Sequence, residues 1–133
     1  MLKTSLFSTL VIFFIIPSAF AACPNLKGQY QCKFRAGTFT IDQKLSDNGN
    51  AMYSIPIDVN GGVTTFITDN KAHQQSYSVV LSRCSSNNLE VEIQTYTIYQ
   101  RYLLTLNGKS LKIMSKDFGQ MQYNDFIDTC TKI

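Results

Sequence analysis

From Leu26 onward the chain alternates. In Leu26-Lys27-Gly28-Gln29-Tyr30-Gln31-Cys32-Lys33-Phe34-Arg35 every even position is apolar or small and every odd position is Lys, Gln or Arg. A period of two is that of a strand with one buried face, whereas a helix would scatter these residues around its circumference. The same rhythm returns in Phe39, Ile41, Leu45; in Tyr53, Ile55, Ile57; in Tyr77, Val79, Leu81; in Leu89, Val91, Ile93; in Tyr102, Leu104, Leu106; and in Leu111, Ile113. Turn chemistry falls between the runs: Asp47-Asn48-Gly49-Asn50, Asn60-Gly61-Gly62, Asp69-Asn70-Lys71, Ser85-Ser86-Asn87-Asn88, Asn107-Gly108 and Asp117-Phe118-Gly119. Asn107-Gly108 between alternating runs predicts a two-residue type I′ hairpin. Thr95 to Arg101, with Tyr96, Tyr99 and Tyr102 three apart, fits a bulge, a tight bend or a short helical turn.

The pattern predicts an all-β domain, an antiparallel up-and-down meander of eight or nine strands at roughly 12-residue spacing. Closing such a meander into a small barrel hides its edges; a two-sheet β-sandwich is the alternative.

The first 21 residues read differently. Lys3, an apolar run from Leu6 to Ile16, Pro17 and the small-x-small Ala19-Phe20-Ala21 form the pattern of a secretory signal peptide cut after Ala21. The apolar run is too short for a spanning helix of ~20 residues. That leaves residues 22–133 as one β domain and predicts an exported, periplasmic or secreted protein with no transmembrane segment. Phe20-Ala21-Ala22-Cys23 also resembles a bacterial lipobox, and its use would put a lipid anchor on Cys23. Without the leader, eleven basic residues face nine acidic ones, a balance that argues against nucleic acid as a partner.

Cys23, Cys32, Cys84 and Cys130 are four in an exported domain, the arithmetic of two disulfides. Of three connectivities the expected one is sequential, Cys23 to Cys32 and Cys84 to Cys130. No close Cys pair or second His accompanies them, so no metal site and no cofactor is expected.

The opening Leu26-Lys27-Gly28-Gln29-Tyr30 resembles that of the calycin-type barrels, the lipocalin, fatty-acid-binding and avidin group, where Gly-x-Trp begins the first strand. The run Arg101-Tyr102-Leu103-Leu104-Thr105-Leu106-Asn107-Gly108-Lys109-Ser110-Leu111-Lys112-Ile113 resembles the strand, turn and strand rhythm of the same group. Tyr30 stands where that group has Trp, and Lys132 alone matches the basic residue that packs over it from the last strand. The resemblance implies a lipocalin-like barrel with a small apolar ligand at its mouth.

Material for catalysis is thin. His73 follows a polar turn without a nucleophile signature. Glu90 and Glu92 share one strand face at about 6 to 7 Å, but the apolar residues between and beside them turn that face to solvent, where nothing splits their pKa values. No catalytic residue and no enzyme activity is expected. Tyrosine offers an apolar body with a polar tip, and Tyr96, Tyr99 and Tyr102 form the candidate binding cluster, while Tyr30, Tyr53 and Tyr77 are expected to fill the core with Tyr102. The large inward residues predict a packed interior and contacts at the rim or outer face. Two readings follow: a binding protein for a small apolar ligand at the barrel mouth, or an envelope or secreted protein-interaction module, inhibitor-like, with loops such as Asp69 to Gln75 as the contact.

Overall fold

A computed structural model describes residues 23–56, 62–119 and 122–133. The leader, Ile57 and most of the Asn60-Gly61-Gly62 turn lie outside the described residues. Every described element is a strand: β1 (Gly28–Cys32), β2 (Thr38–Leu45), β3 (Ala51–Ile55), β4 (Thr64–Ile67), β5 (Ala72–Gln75), β6 (Ser78–Ser85), β7 (Asn88–Gln94), β8 (Ile98–Asn107), β9 (Ser110–Gly119) and β10 (Gln122–Lys132). They form one antiparallel sheet in the order β4-β3-β2-β1-β10-β9-β8-β7-β6-β5. The meander is thus as expected but has ten strands, and a single sheet replaces the two of a sandwich.

The first and last strands pair, Tyr30 opposite Lys132 and Cys32 opposite Cys130. The break falls instead between consecutive β4 and β5, the two edges, which share no ladder, so the sheet curls into a half-barrel rather than a closed barrel. Single hydrogen bonds bridge that gap. Gln75 Nε2 donates to the Thr65 carbonyl at 2.7 Å, Ser82 Oγ to the Ile67 carbonyl at 2.7 Å, and Asn70 N to the Ser82 carbonyl at 3.0 Å. The added strands β4 and β5 have four residues each, too short to display an alternation in sequence.

Inward positions form one core: Leu26, Tyr30, Ile41, Tyr53, Phe66, Val80, Leu89, Val91, Leu104 and Leu111 are all essentially inaccessible. The residues before β1 cross one end of the half-barrel and cover it. Tyr53 Oη donates to the Pro24 carbonyl at 2.6 Å, Tyr30 Oη to the Leu26 carbonyl at 2.8 Å, and Leu26 N to Gln43 Oε1 at 2.8 Å. Burying phenols without such acceptors would be costly, and burial also raises both phenol pKa values.

The disulfides are Cys23–Cys84 and Cys32–Cys130, not the sequential pairs. The reason lies in the strand geometry. β1 lies directly beside β10, with Cys32 opposite Cys130, while β7, β8 and β9 separate Cys84 on β6 from Cys130. The Cys23 sulfur, bonded to Cys84, is not available for the thioether of a lipid anchor.

At the Thr95 bend one of the expected alternatives holds, and elsewhere local expectations change. The Asn107-Gly108 hairpin forms, but Asn107 pairs with Ser110, so Gly108-Lys109 is the loop. Gly108 alone takes positive φ (62°), which is the type II′ pattern rather than I′. Thr95 to Ile98 makes the tight bend, closed by Thr95 N to the Ile98 carbonyl at 2.8 Å. Asp117-Phe118-Gly119 is not a turn but the end of β9. In β6 the inward set is Val80 and Ser82 rather than Val79 and Leu81, because Ser82 satisfies its hydroxyl on Ile67 while packed inside. Tyr77 therefore lies outside the core, 94 % exposed beside Ser76, which has φ 47°.

Candidate binding site at the open end

The two ends of the half-barrel differ. The segment from Cys23 to Leu26 covers the closed end, beside the β2–β3 and β8–β9 turns. The β1–β2, β5–β6 and β7–β8 connections gather at the opposite end. Ile98 and Phe126 there occupy inward parity, in step with Tyr102 and Asp128, yet stay 42 % and 43 % exposed, so this end is open. Phe34 (62 %), Tyr77 (94 %) and Tyr96 (101 %) stand around it. Phe34 meets Phe126 edge-on at 6.1 Å between ring centroids. Of the exposed large hydrophobic residues, Leu45 and Ile133 lie at the closed end.

Arg35 crosses the open end. Its Nη1 donates to the Pro56 carbonyl at 3.1 Å, its guanidinium lies 5.7 Å from the Phe39 ring centroid, and its Nε is 3.9 Å from Asp128 Oδ2. Asp128 is fully buried on β10. Its Oδ1 accepts from Phe34 N at 3.1 Å and Thr129 N at 2.9 Å, and its Oδ2 has no hydrogen bond. Asp117 Oδ1, on inward parity with Ile113 of β9, is likewise buried without a hydrogen bond.

Tyr96, Tyr99 and Tyr102 do not converge. In a strand a three-residue step changes face: Tyr102 points inward at 6 % exposure, Tyr99 lies on the outer wall 5.7 Å from the Phe118 ring, and Tyr96 tops the β7–β8 bend. Burial, followed by the charge of Glu92, raises the Tyr99 phenol. Tyr96 is the one of the three that stands at the open end's rim.

Glu90 and Glu92 lie on the outer wall in an ion network. Arg83 Nε donates to Glu90 Oε2 at 2.9 Å, Arg83 Nη2 is 3.3 Å from Glu92 Oε1, and Arg101 Nη2 bonds Glu90 Oε1. Burial works to raise the Glu90 pKa, but the Arg83 and Arg101 bonds outweigh it and hold the carboxyl below its usual range. His73 Nε2 sits 2.8 and 2.9 Å from the two Asp69 carboxylate oxygens. Burial pushes Asp69 up, while the Lys71 amide and His73 pull it further down. The loop expected over Asp69 to Gln75 is in part β5. A cleft of about 400 Å³ between the β2–β3 and β4–β5 turns touches Lys44, Asp47, Asp69 and His73 at the closed end.

Among the described residues, Cys32, Asp128 and Cys130 bring one ligand atom each within 4.8 Å of one another. The two sulfurs are bonded to each other, which removes the thiolates a metal would take. No described helix is long and apolar enough to cross a membrane. Sequence reasoning missed Arg35, Asp117 and Asp128; the clue to the two aspartates was a charged residue on the apolar parity of a strand, obscured at Asp117 by its turn-like neighbours Phe118-Gly119, whereas Arg35 sits on the polar parity just beyond β1 and gave no signal.

No protein-family model matches the chain, and neither the curated proteins nor the solved structures supply a match.

Proposed function

We propose that the chain is an exported, non-enzymatic binding module with a filled half-barrel, which engages an extracellular or envelope protein at its open end. The observation that carries this reading is the asymmetry of exposed apolar surface: Phe34, Tyr77, Tyr96, Ile98 and Phe126 surround the open end while the closed end is covered by its own chain. Aromatic side chains at a rim supply contact area at low entropic cost and are enriched in interfaces. The packed core favours a partner over a ligand held deep inside. Two disulfides are compatible with an oxidising compartment and agree with the export leader.

A second reading, a small apolar molecule resting on Ile98 and Phe126, draws on the inward exposure of both residues. It is the ligand class that the calycin resemblance of Leu26–Tyr30 implies.

The test is native mass spectrometry of the protein purified from its own compartment. The expected result is a co-purifying protein lost in the Tyr77→Ser, Tyr96→Ser double variant and kept in Asn48→Ala, Lys109→Ala at the closed end. A bound small molecule in place of a protein favours the second reading. A protein retained by the rim variant and lost by the closed-end variant overturns both.

A further inference from the structure

We propose that Cys23 is a site of thiol–disulfide exchange: a small anionic thiol attacks its sulfur through the cleft beside it and forms a mixed disulfide there, while Cys32–Cys130 stays closed. This site lies at the closed end and does not depend on the partner proposed for the open end.

The two disulfides are placed very differently. Cys32 and Cys130 lie in the core, 7 % and 0 % exposed, where β1 joins β10. Cys23 and Cys84 are only half-buried, and Cys23 forms part of the wall of a cleft of about 360 Å³ shared with Asn25, Lys27, Gln43 and Lys44. Access of the attacking thiolate to a sulfur is one of the factors that decide which disulfide exchanges. In the folded chain that access favours Cys23–Cys84.

The cleft also selects the thiol. Two ammonium groups line it beside two neutral amides, with no carboxylate among the lining residues. Lys27 makes a loose pair with Asp42, 3.8 Å apart and exposed on both sides, and Lys44 forms no ion pair among the described residues. A thiolate whose molecule also carries carboxylates is drawn to such a wall, and one that carries an ammonium gains less. In the exchange the incoming thiolate bonds to Cys23 Sγ, the Cys23–Cys84 bond breaks, and its electron pair leaves on Cys84 Sγ, which takes a proton from water. One disulfide replaces another, so no separate oxidant or reductant is consumed. The fold keeps its other ties throughout: Pro24 and Leu26 remain bonded to Tyr53 and Tyr30, and Cys32–Cys130 still closes β1 onto β10. What the exchange releases is the bond between the covering segment and β6.

The test exposes the folded, disulfide-bonded chain to glutathione, an anionic thiol, and in parallel to cysteamine, a cationic one, at equal thiolate concentration. Samples are quenched with acid at intervals, free thiols are blocked with a maleimide, and each cysteine is assigned by peptide mapping in a mass spectrometer. Cys23–Cys84 is expected to be lost about tenfold or more faster than Cys32–Cys130, with glutathione on Cys23 and the maleimide on Cys84 at early times. Replacing both cations, Lys27→Gln with Lys44→Gln, should slow glutathione by about fivefold and leave cysteamine unchanged or faster. The parent chain supplies the same reading without a substitution, because salt at about 1 M should remove most of its preference for glutathione. Equal loss of the two disulfides, or a glutathione adduct on Cys84 with Cys23 blocked, overturns the site. A glutathione-to-cysteamine rate ratio that neither the lysine substitutions nor salt changes overturns the selection of an anionic thiol.

Discussion

Tyr53 shows how much one polar atom decides in this core. Its ring fills the centre of the half-barrel and its hydroxyl holds the Pro24 carbonyl at 2.6 Å, so it packs and latches at once. Tyr53→Phe keeps the ring and orphans the carbonyl; a loss of about 1–2 kcal/mol in urea unfolding is expected. Gly28 is a second such point. At φ 154° an added Cβ would come within 2.5 Å of Lys132 Cε, so Gly28→Ala should cost about 1 kcal/mol or more, part of it strain that the mobile lysine end cannot relieve. Asp69 and Glu90 set the acid limit. Both carboxyl pKa values are lowered by folding, so their contribution is present above the unfolded value of about 4 and is lost as pH falls through the lower folded values. A pH series of thermal melts should fall on that side; Glu90→Gln should flatten the fall, with the exposed part of the network contributing least.

At the level of elements, the joins matter more than the strands. β1 and β10 share only three register pairs, the shortest contact between the two halves of the sheet, and Cys32–Cys130 lies within it. Cys23–Cys84 ties the covering segment to β6 across the curl. With separations of 98 and 61 residues, each bond is worth about 4 to 5 kcal/mol when taken singly on the chain-entropy model, a model-dependent figure. Reduction should therefore collapse the thermal transition, and a melt unchanged by reductant would contradict the role given to the bonds. The strands were legible wherever alternation ran for five residues or more, as in β1, β7 and β8, because one buried face imposes a period that composition cannot hide. β4 and β5 were not legible because four residues carry no period. β6 was read one residue out of register because Val79-Val80-Leu81 is apolar on both parities and the buried Ser82 resembles a surface residue. The disulfide pairing was not legible, because Cys32 meets Cys130 only through the long-range join of β1 to β10, which no local pattern displays. The candidate site was legible only at Tyr96: Tyr99 and Tyr102 share a spacing but not a face, and Asp117 and Asp128 acquire their character from a fold that closes the last strand onto the first.

Across the whole molecule, one end is sealed and the other is not. Pro24 to Leu26, held by Tyr30, Tyr53 and Gln43, seals the first; inward Ile98 and Phe126 remain exposed at the second, within a rim of Phe34, Tyr77 and Tyr96. A sealed, disulfide-tied body presenting one apolar end is suited to hold a contact surface fixed, and little of its inward volume is left for a guest. Site-specific photo-crosslinking tests this most directly: a photoreactive phenylalanine analogue is placed at Tyr96 on the open rim or at Lys109 in the closed-end hairpin, and adducts are collected in the protein's own compartment. The account predicts a discrete adduct from position 96 and none from position 109. An adduct from position 109 alone, or equal yields from both, would contradict it.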